Sequence, residues 1–257
     1  MKQIIIGKDI IKAYGEGQEK RNVLDGVSIT VGEGEFLAVM GPSGCGKSTL
    51  LFALSGMDGI DGGSVTFEGQ ELAGLKEKEF ADLLRRKMGF VFQQPAMLKN
   101  LNLLDNIMLP ALRDNKKNAA GIREKARALM RKTGIEELEE RGITQVSGGQ
   151  LQRAGICRAL MNDPVVIFGD EPTGALNSKS SQEIMDLFAQ INREGTAVLL
   201  VTHDAKVAAQ TERVLFMRDG MIVRGMRFSK EIGNDIKGDN IAERTRKITQ
   251  TMAEIGG

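Results

Sequence analysis

Gly41-Pro42-Ser43-Gly44-Cys45-Gly46-Lys47-Ser48-Thr49 is the stretch from which the rest of this chain is read. It fits the pattern G-x-x-x-x-G-K-[ST], and its surroundings have the form that pattern needs. Before it, Phe36 to Met40 (FLAVM) is a short apolar run of the kind that forms a buried strand. After it, Thr49 to Ser55 (TLLFALS) predicts a helix opening directly out of the turn. Gly41, Gly44 and Gly46 let the backbone curl so that successive N–H groups point at an anion. The helix adds its positive N-terminal end. Lys47 supplies a cation for the outer phosphates, and Ser48 a hydroxyl for Mg²⁺. The ligand this arrangement predicts is a nucleoside triphosphate with its magnesium.

Composition narrows what such a protein does. The chain has 257 residues, 41% of them apolar, which suits one large α/β domain or one carrying a helical insert. Its net charge of +1 calls for no polyanion, so no nucleic-acid partner is expected. No run approaches the roughly 18–20 apolar residues that a membrane-spanning helix needs. The N-terminus (MKQIIIGKDI) is interrupted by charge too early for a signal peptide. Cys45 and Cys157 lack metal-ligand spacing, and a disulfide would distort the phosphate turn. Both read as reduced thiols in a cytosolic setting. Tyr14 and His203 are the sole tyrosine and histidine.

Along the chain, residues 3–6 (QIII) and 27–31 (VSITV) predict strands flanking a polar turn from Gly15 to Asn22, with Tyr14 at the end of the first strand region. Ser64 to Glu68 alternates as a strand does. Glu77 to Lys87 is helical, and Met88 to Phe92 (MGFVF) is a buried strand leading to Gln93. From Leu98 to about Met161 strand signals vanish. Ile122, Ala126, Leu129 and Met130 share one helix face, with Arg123, Glu124, Lys125 and Arg127 around the other. This predicts a helical subdomain over about 98–161, inserted into a domain spanning 1–227. Val165 to Phe168 and Ala197 to Val201 predict strands, Ser180 to Arg193 a helix, and Arg213 to Met217 with Met221 to Val223 a hairpin through Asp219-Gly220. A helical extension occupies 228–257. Asn240 and Glu243 approximate a capping box, Ile241, Ile248, Met252 and Ile255 line one face, and Gly256 ends the helix. That helix has three readings: dimer contact, contact with a membrane partner, or packing on its own domain, the last being the default.

Two further stretches carry chemistry. Val165 to Glu171 (VVIFGDE) is an apolar strand delivering two adjacent carboxylates. Asp170 would hold Mg²⁺ and Glu171 would place the attacking water; the plainer reading is a strand end with two acidic caps. Ser147-Gly148-Gly149-Gln150 opens the helix predicted over Leu151 to Met161 and forms a second anion site. One nucleotide does not need two such sites in one domain, so the second serves a nucleotide held by another copy.

With these residues the sequence resembles the ATP-binding-cassette (ABC) family over roughly residues 3–225. The resemblance implies an α/β fold: a P-loop core with a parallel central sheet, an N-terminal antiparallel β subdomain and the inserted helical subdomain. It implies ATP and Mg²⁺ as ligands. Residues 41–49 become Walker A and 165–171 Walker B, with Glu171, His203 and Lys47 catalytic and Ser48, Gln93 and Asp170 at the metal. Gln93 matches the Q-loop glutamine, and His203 the switch histidine beside the γ-phosphate. Tyr14 matches the aromatic that stacks on adenine, against the alternative of a core aromatic at a strand end. Ser147, Gly148, Gly149 and Gln150 match the signature loop, which contacts ATP in trans in a head-to-tail dimer of two identical or two paralogous ATPase chains. Asn177 stands where the D-loop usually has Asp, and Val146 where Leu is commonest.

Within the family, the stretches at Gly89 to Pro95, Leu104 to Pro110 and Pro172 to Ser180 resemble the lipoprotein-release, macrolide-export, cell-division and bacitracin or lantibiotic resistance branch. The GALNSKS string and the long tail lean toward its peptide-antibiotic resistance group. A separate integral-membrane permease is then implied. It would dock between the Gln93 loop and Leu98 to Leu112 and hold this chain at the cytoplasmic face of the membrane. The rivals are a soluble cassette acting in DNA repair or chromosome structure, and a module that uses ATP only as a clamp. The first usually carries coiled-coil or zinc insertions, which are missing here; Glu171 and His203 argue against the second.

Overall fold

The computed structural model describes residues 2–15, 17, 20–113, 116–229 and 240–256. Part of the Gly15 to Asn22 turn and the stretch 230–239 of the tail therefore lie outside the described residues. In chain order the strands and α-helices are β1 (Gln3–Tyr14), β2 (Arg21–Gly32), β3 (Phe36–Met40), α1 (Lys47–Ser55), β4 (Gly62–Phe67), β5 (Gln70–Glu71), α2 (Glu77–Lys87), β6 (Met88–Phe92), α3 (Leu103–Leu112), α4 (Ala119–Lys132), α5 (Gly148–Leu160), β7 (Val166–Asp170), α6 (Ser178–Arg193), β8 (Ala197–Thr202), α7 (Ala205–Ala208), β9 (Arg213–Arg218), β10 (Met221–Arg227) and α8 (Ile241–Gly256). They fall into two compact units, one made of residues 1–80 and 197–257, the other of residues 81–196.

The first unit holds an antiparallel sheet in the order β2-β1-β4-β5. Strands β1 and β2 pair from Gln3 opposite Gly32 to Tyr14 opposite Arg21, so both are far longer than their apolar runs suggest. The register slips between Gly7 and Ile10, where Asp9 takes a left-handed φ of 48°. That bulge breaks the alternation of buried and exposed side chains on which a sequence reading relies. The unit also contains β3 between β8 and β9, parallel to both. Every residue of β3 and β8 is buried, hence their unbroken apolar runs. The β9–β10 hairpin turns through Asp219 (φ 47°) and Gly220 (φ 77°), the left-handed pair that a two-residue turn demands.

One buried ion pair fastens this sheet. Glu35, in the β2–β3 turn, accepts from Arg213 Nη1 at 2.9 Å through Oε1 and from the Gly32 N–H at 2.8 Å through Oε2. Arg213 Nη2 donates to the Thr30 carbonyl at 2.8 Å. Burial pulls the Arg213 pKa down, and Glu35 opposes that shift.

In the second unit β6 and β7 run parallel, with Met88 opposite Val166 and Phe92 opposite Asp170. Phe90 and Phe168 stack across the pair with centroids 5.3 Å apart. Helices α3, α4 and α5 share a core of Leu103, Leu104, Ile107, Met108, Ile122, Ala126, Met130, Ala154 and Cys157. Ile122, Ala126 and Met130 are buried, as the helical spacing predicts, with Leu129 half-buried beside them. Most of the leucine-rich run between 98 and 112 packs inward; Leu98 and Leu109 remain exposed. Asn106, buried in that run, uses its side chain as a clamp, donating to Leu98, Leu101 and Asn102 carbonyls and accepting from the Leu98 N–H.

The Cys157 thiol lies against Thr133 Oγ1 at 3.1 Å, and burial pushes its pKa from near 9 up to about 12. The neutral thiol is thus favoured in the folded state. This stabilisation is fully present below pH 9 and fades as pH rises toward 12. Because the thiolate is the reacting form, native-state alkylation of Cys157 at pH 8 is expected to run about three orders of magnitude slower than in the unfolded chain, measured by mass spectrometry of the trapped thiols. Glu35→Ala is expected to lower unfolding free energy by about 3–5 kcal/mol, because it leaves a buried guanidinium without its counter-ion. Chemical denaturation checks this, and the double change Glu35→Leu, Arg213→Met should recover much of the loss.

Candidate functional site

In the first unit the phosphate turn is built by close backbone approach. A Cβ on Gly41 would stand 2.2 Å from the Met217 carbonyl oxygen, and one on Gly46 (φ 101°) 2.6 Å from the Val23 carbonyl oxygen. The Gly220 N–H donates to the Cys45 carbonyl at 3.2 Å, tying the β9–β10 turn to the loop, and the Cys45 N–H closes back onto Pro42. Helix α1 starts at Lys47 with no side-chain cap and no acidic residue in its first turn, so its N-terminal amides are kept for an anion. Lys47 is 7% exposed, and its Nζ donates to the Gly41 and Pro42 carbonyls, each at 2.9 Å. Both partners are neutral carbonyls. Burial pushes the neighbouring Cys45 thiol up, with Lys47 pulling it back, so the loop's own thiol adds no negative charge at neutral pH.

Tyr14 ends β1 with 48% of its surface exposed, which rules out the core-aromatic alternative. Its hydroxyl donates to Asp58. Lys12 Nζ sits 5.2 Å from the ring centroid and pairs with Asp58 at 2.7 Å. Lys12 and Tyr14 together hold the Asp58 carboxyl below the usual range, and Asp58 in turn raises both of its partners. Asp58 and Lys12 escaped the sequence reading: neither belongs to a motif, and their partnership joins residues 46 apart. His203 follows β8 on the surface. Its turn is fixed by the Asp204 N–H donating to Thr202 Oγ1 at 3.0 Å and by the Asp204 carboxylate capping α7 at the Lys206 N–H, 2.7 Å away.

The second unit gathers the other residues. The parallel register of β6 and β7 ends both strands at one level, so Gln93 and Glu171 emerge side by side. They meet over Gly174: a Cβ there would lie 3.0 Å from Gln93 Nε2 and 3.3 Å from Glu171 Oε2. Glu171 adopts φ 46°, a left-handed conformation that a non-glycine residue holds at a cost of order 1–3 kcal/mol. The Gly174 N–H donates to the Glu171 carbonyl at 2.9 Å and secures that turn. Asp170 closes β7, half-buried.

Ser147 to Gln150 form a complete capping box at the start of α5, with Ser147 Oγ accepting from the Gln150 N–H at 3.3 Å and Gln150 Oε1 accepting from the Ser147 N–H at 2.8 Å. A Cβ on Gly149 would lie 3.1 Å from Ser180 Oγ, a tight approach of α5 to α6 at this position. Asn177 caps α6 by accepting from the Ser180 N–H at 2.9 Å, a task Asp performs equally well. The exchange at this position therefore keeps the cap and loses only the charge. Two residues outside the motifs hold α5: Gln152 donates to the Phe92 carbonyl at 3.0 Å, and Arg153 bridges Thr133 and Glu183 at 2.6 and 2.7 Å.

A sequence profile described as "ABC transporter" matches residues 24–174, more than half of the chain. The chain belongs to the ABC transporter family. It is 38% identical over 256 residues to the bacitracin export ATP-binding protein BceA of Halalkalibacterium halodurans, covering 99% of this chain and 97% of that one. It is 42% identical over 215 residues to the macrolide export ATP-binding/permease protein MacB of Chlorobium phaeobacteroides, covering 84% of this chain and 32% of MacB, so it spans about a third of that longer polypeptide. Among solved structures, the dimeric post-hydrolysis state of the ATP-binding cassette MJ0796 bound to ADP and Pi has a TM-score of 0.81 at 35% identity, covering 87% of this chain and 98% of that one. This protein is accordingly an ABC ATPase with the mixed α/β cassette fold, and ATP with Mg²⁺ is its ligand set. No helix among the described residues is long and apolar enough to cross a membrane.

Gly41→Ala is expected to weaken ATP binding. Overpacking costs about 1–3 kcal/mol, which corresponds to roughly ten- to hundredfold in affinity. Titration with a fluorescent ATP analogue measures it.

Proposed function

We propose that this chain is the ATP-hydrolysing subunit of a transporter, powering a separate integral-membrane permease from the cytoplasmic face of the membrane. It works in a head-to-tail pair with a second copy or a paralogous ATPase chain. Export of, or resistance to, a bacitracin-like peptide antibiotic is the cargo reading that end-to-end similarity to BceA supports. The observation that carries hydrolysis rather than mere binding is the convergence of Gln93 and the strained Glu171 over Gly174.

In this reading Lys47 and the loop amides of residues 41–47 bind the phosphates and offset charge as it develops on them. Ser48, Asp170 and Gln93 offer a hydroxyl, a carboxylate and an amide oxygen. These are hard donors of the kind Mg²⁺ takes when triphosphate oxygens and water complete its shell. Bound there, Mg²⁺ would neutralise phosphate charge and hold the triphosphate in line. Glu171 accepts the proton of the attacking water, and His203 holds the γ-phosphate end of the site. Tyr14, steadied by Asp58 and Lys12, stacks on adenine. Ser147 and Gly149 of one subunit bind the nucleotide of the other, so ATP favours the closed pair and hydrolysis releases it.

Glu171→Gln is expected to lower turnover by about 10²–10⁴ through loss of the base, while ATP binding persists and ATP-dependent pairing accumulates on size exclusion. Normal turnover in that variant would sink the assignment. Co-purification of a polytopic protein with the tagged chain from gently solubilised membranes tests the permease; recovery solely from the soluble fraction would contradict it.

A further inference from the structure

Helix α8 lies beyond the residues matched by the family profile and packs within the first unit against α7 and β9. Ile248 is buried there, with Ile241, Met252 and Ile255 half-covered around it, against Ala208, Ala209 and Phe216. The unexpected member of this contact is Arg244, whose exposure is 0%. Its Nη2 donates to the Ser229 carbonyl at 2.7 Å and its Nη1 to the Ala209 carbonyl at 3.5 Å, while the guanidinium lies 4.9 Å from the centroid of the Phe228 ring. Taking a charge out of water costs several kcal/mol unless it is paired and hydrogen-bonded. The arginine's planar fork reaches two carbonyls from separate segments, closely at Ser229 and at the outer limit of a hydrogen bond at Ala209, a geometry lysine cannot reproduce.

One of those carbonyls belongs to the residue that closes α7. From there back to His203 the backbone has little slack. The Ala209 N–H donates to Ala205 at 2.9 Å, and the Ala208 N–H to Asp204 at 3.1 Å. The Asp204 carboxylate caps α7, and its N–H is held by Thr202. Thr211 Oγ1 donates toward Ala208 and Arg213 carbonyls at 2.8 and 3.0 Å, locking the far side. These bonds connect Ala209 to the residue after His203 through one short helix.

We propose that Arg244 is a positioning residue: through Ala209 and α7 it holds the His203 turn, so the C-terminal helix sets the rate of ATP hydrolysis without touching the nucleotide. This rests on reading His203 as the group that faces the γ-phosphate. The test measures kcat, affinity for a fluorescent ATP analogue and Tm in the full chain, for Arg244→Met and Arg244→Lys, each with and without His203→Ala. Arg244→Met is expected to leave ATP affinity within about twofold and to lower kcat about tenfold, since misplacing a reacting group by an ångström costs up to 10²-fold. Arg244→Lys, which keeps the charge and loses the fork, should fall between wild type and Arg244→Met, and it carries the test if the methionine variant does not fold. In the His203→Ala background either substitution should cause no further loss of residual turnover, because both act through one group. Additive losses beside a strongly impaired His203→Ala variant, or a parallel fall of kcat, affinity and Tm, would overturn the proposal and make Arg244 a plain stabiliser. Unimpaired turnover in His203→Ala alone would instead overturn the reading of His203, and the proposal with it.

Discussion

The backbone of the phosphate turn runs so close to the β9–β10 hairpin that no side chain fits between them. Gly41 faces the Met217 carbonyl, and the Gly220 N–H holds the Cys45 carbonyl. This contact shapes the loop. Lys47 closes the same loop by donating to the Gly41 and Pro42 carbonyls. The hairpin contact also ties the glycine-rich loop to β9, a strand whose first residue, Arg213, is anchored through Glu35 to the β2–β3 turn. The same strand packs against α8. Core stability, phosphate binding and the C-terminal helix are thus linked through one strand, within one unit of the fold.

In the second unit the comparable constraint is register. Parallel pairing of β6 with β7 sets Phe92 opposite Asp170, so the residues that follow, Gln93 and Glu171, emerge together. Gly174 leaves room for both side chains, and Glu171 holds a left-handed backbone at the start of the turn that Gly174 closes. The Ser147–Gln150 loop is stiffened by its capping box and joined to the end of β6 through Gln152. The capping box, the Gln152 bond and the Gly174–Glu171 backbone bond give these turns fixed local geometry.

Legibility in the sequence followed the range of the interactions. The Asp219-Gly220 hairpin was readable because two left-handed residues suffice to define it. The α4 face was readable because Ile122, Ala126 and Met130 recur at helical spacing. The lengths of β1 and β2 were not, since the bulge at Asp9 interrupts the alternation. The pairing of Lys12 and Tyr14 with Asp58 left no trace, because it joins the end of one strand to a loop beyond α1. Arg244 resembled any surface charge on an amphipathic helix until its burial against Phe228 and Ala209 was seen.

The sequence by itself determined the family, the ligand and the order of the elements. Those follow from local chemistry: glycines that let a backbone turn around phosphate, apolar runs long enough for a buried strand, and caps set at fixed offsets. Tertiary structure alone decided that Tyr14 is exposed, that Gln93 and Glu171 meet beside Gly174, that Asn177 keeps its cap, and that Arg244 of the C-terminal helix is buried near Ala209. Each of these depends on residues distant in the chain coming within a few ångströms of one another, and no spacing along a sequence encodes that.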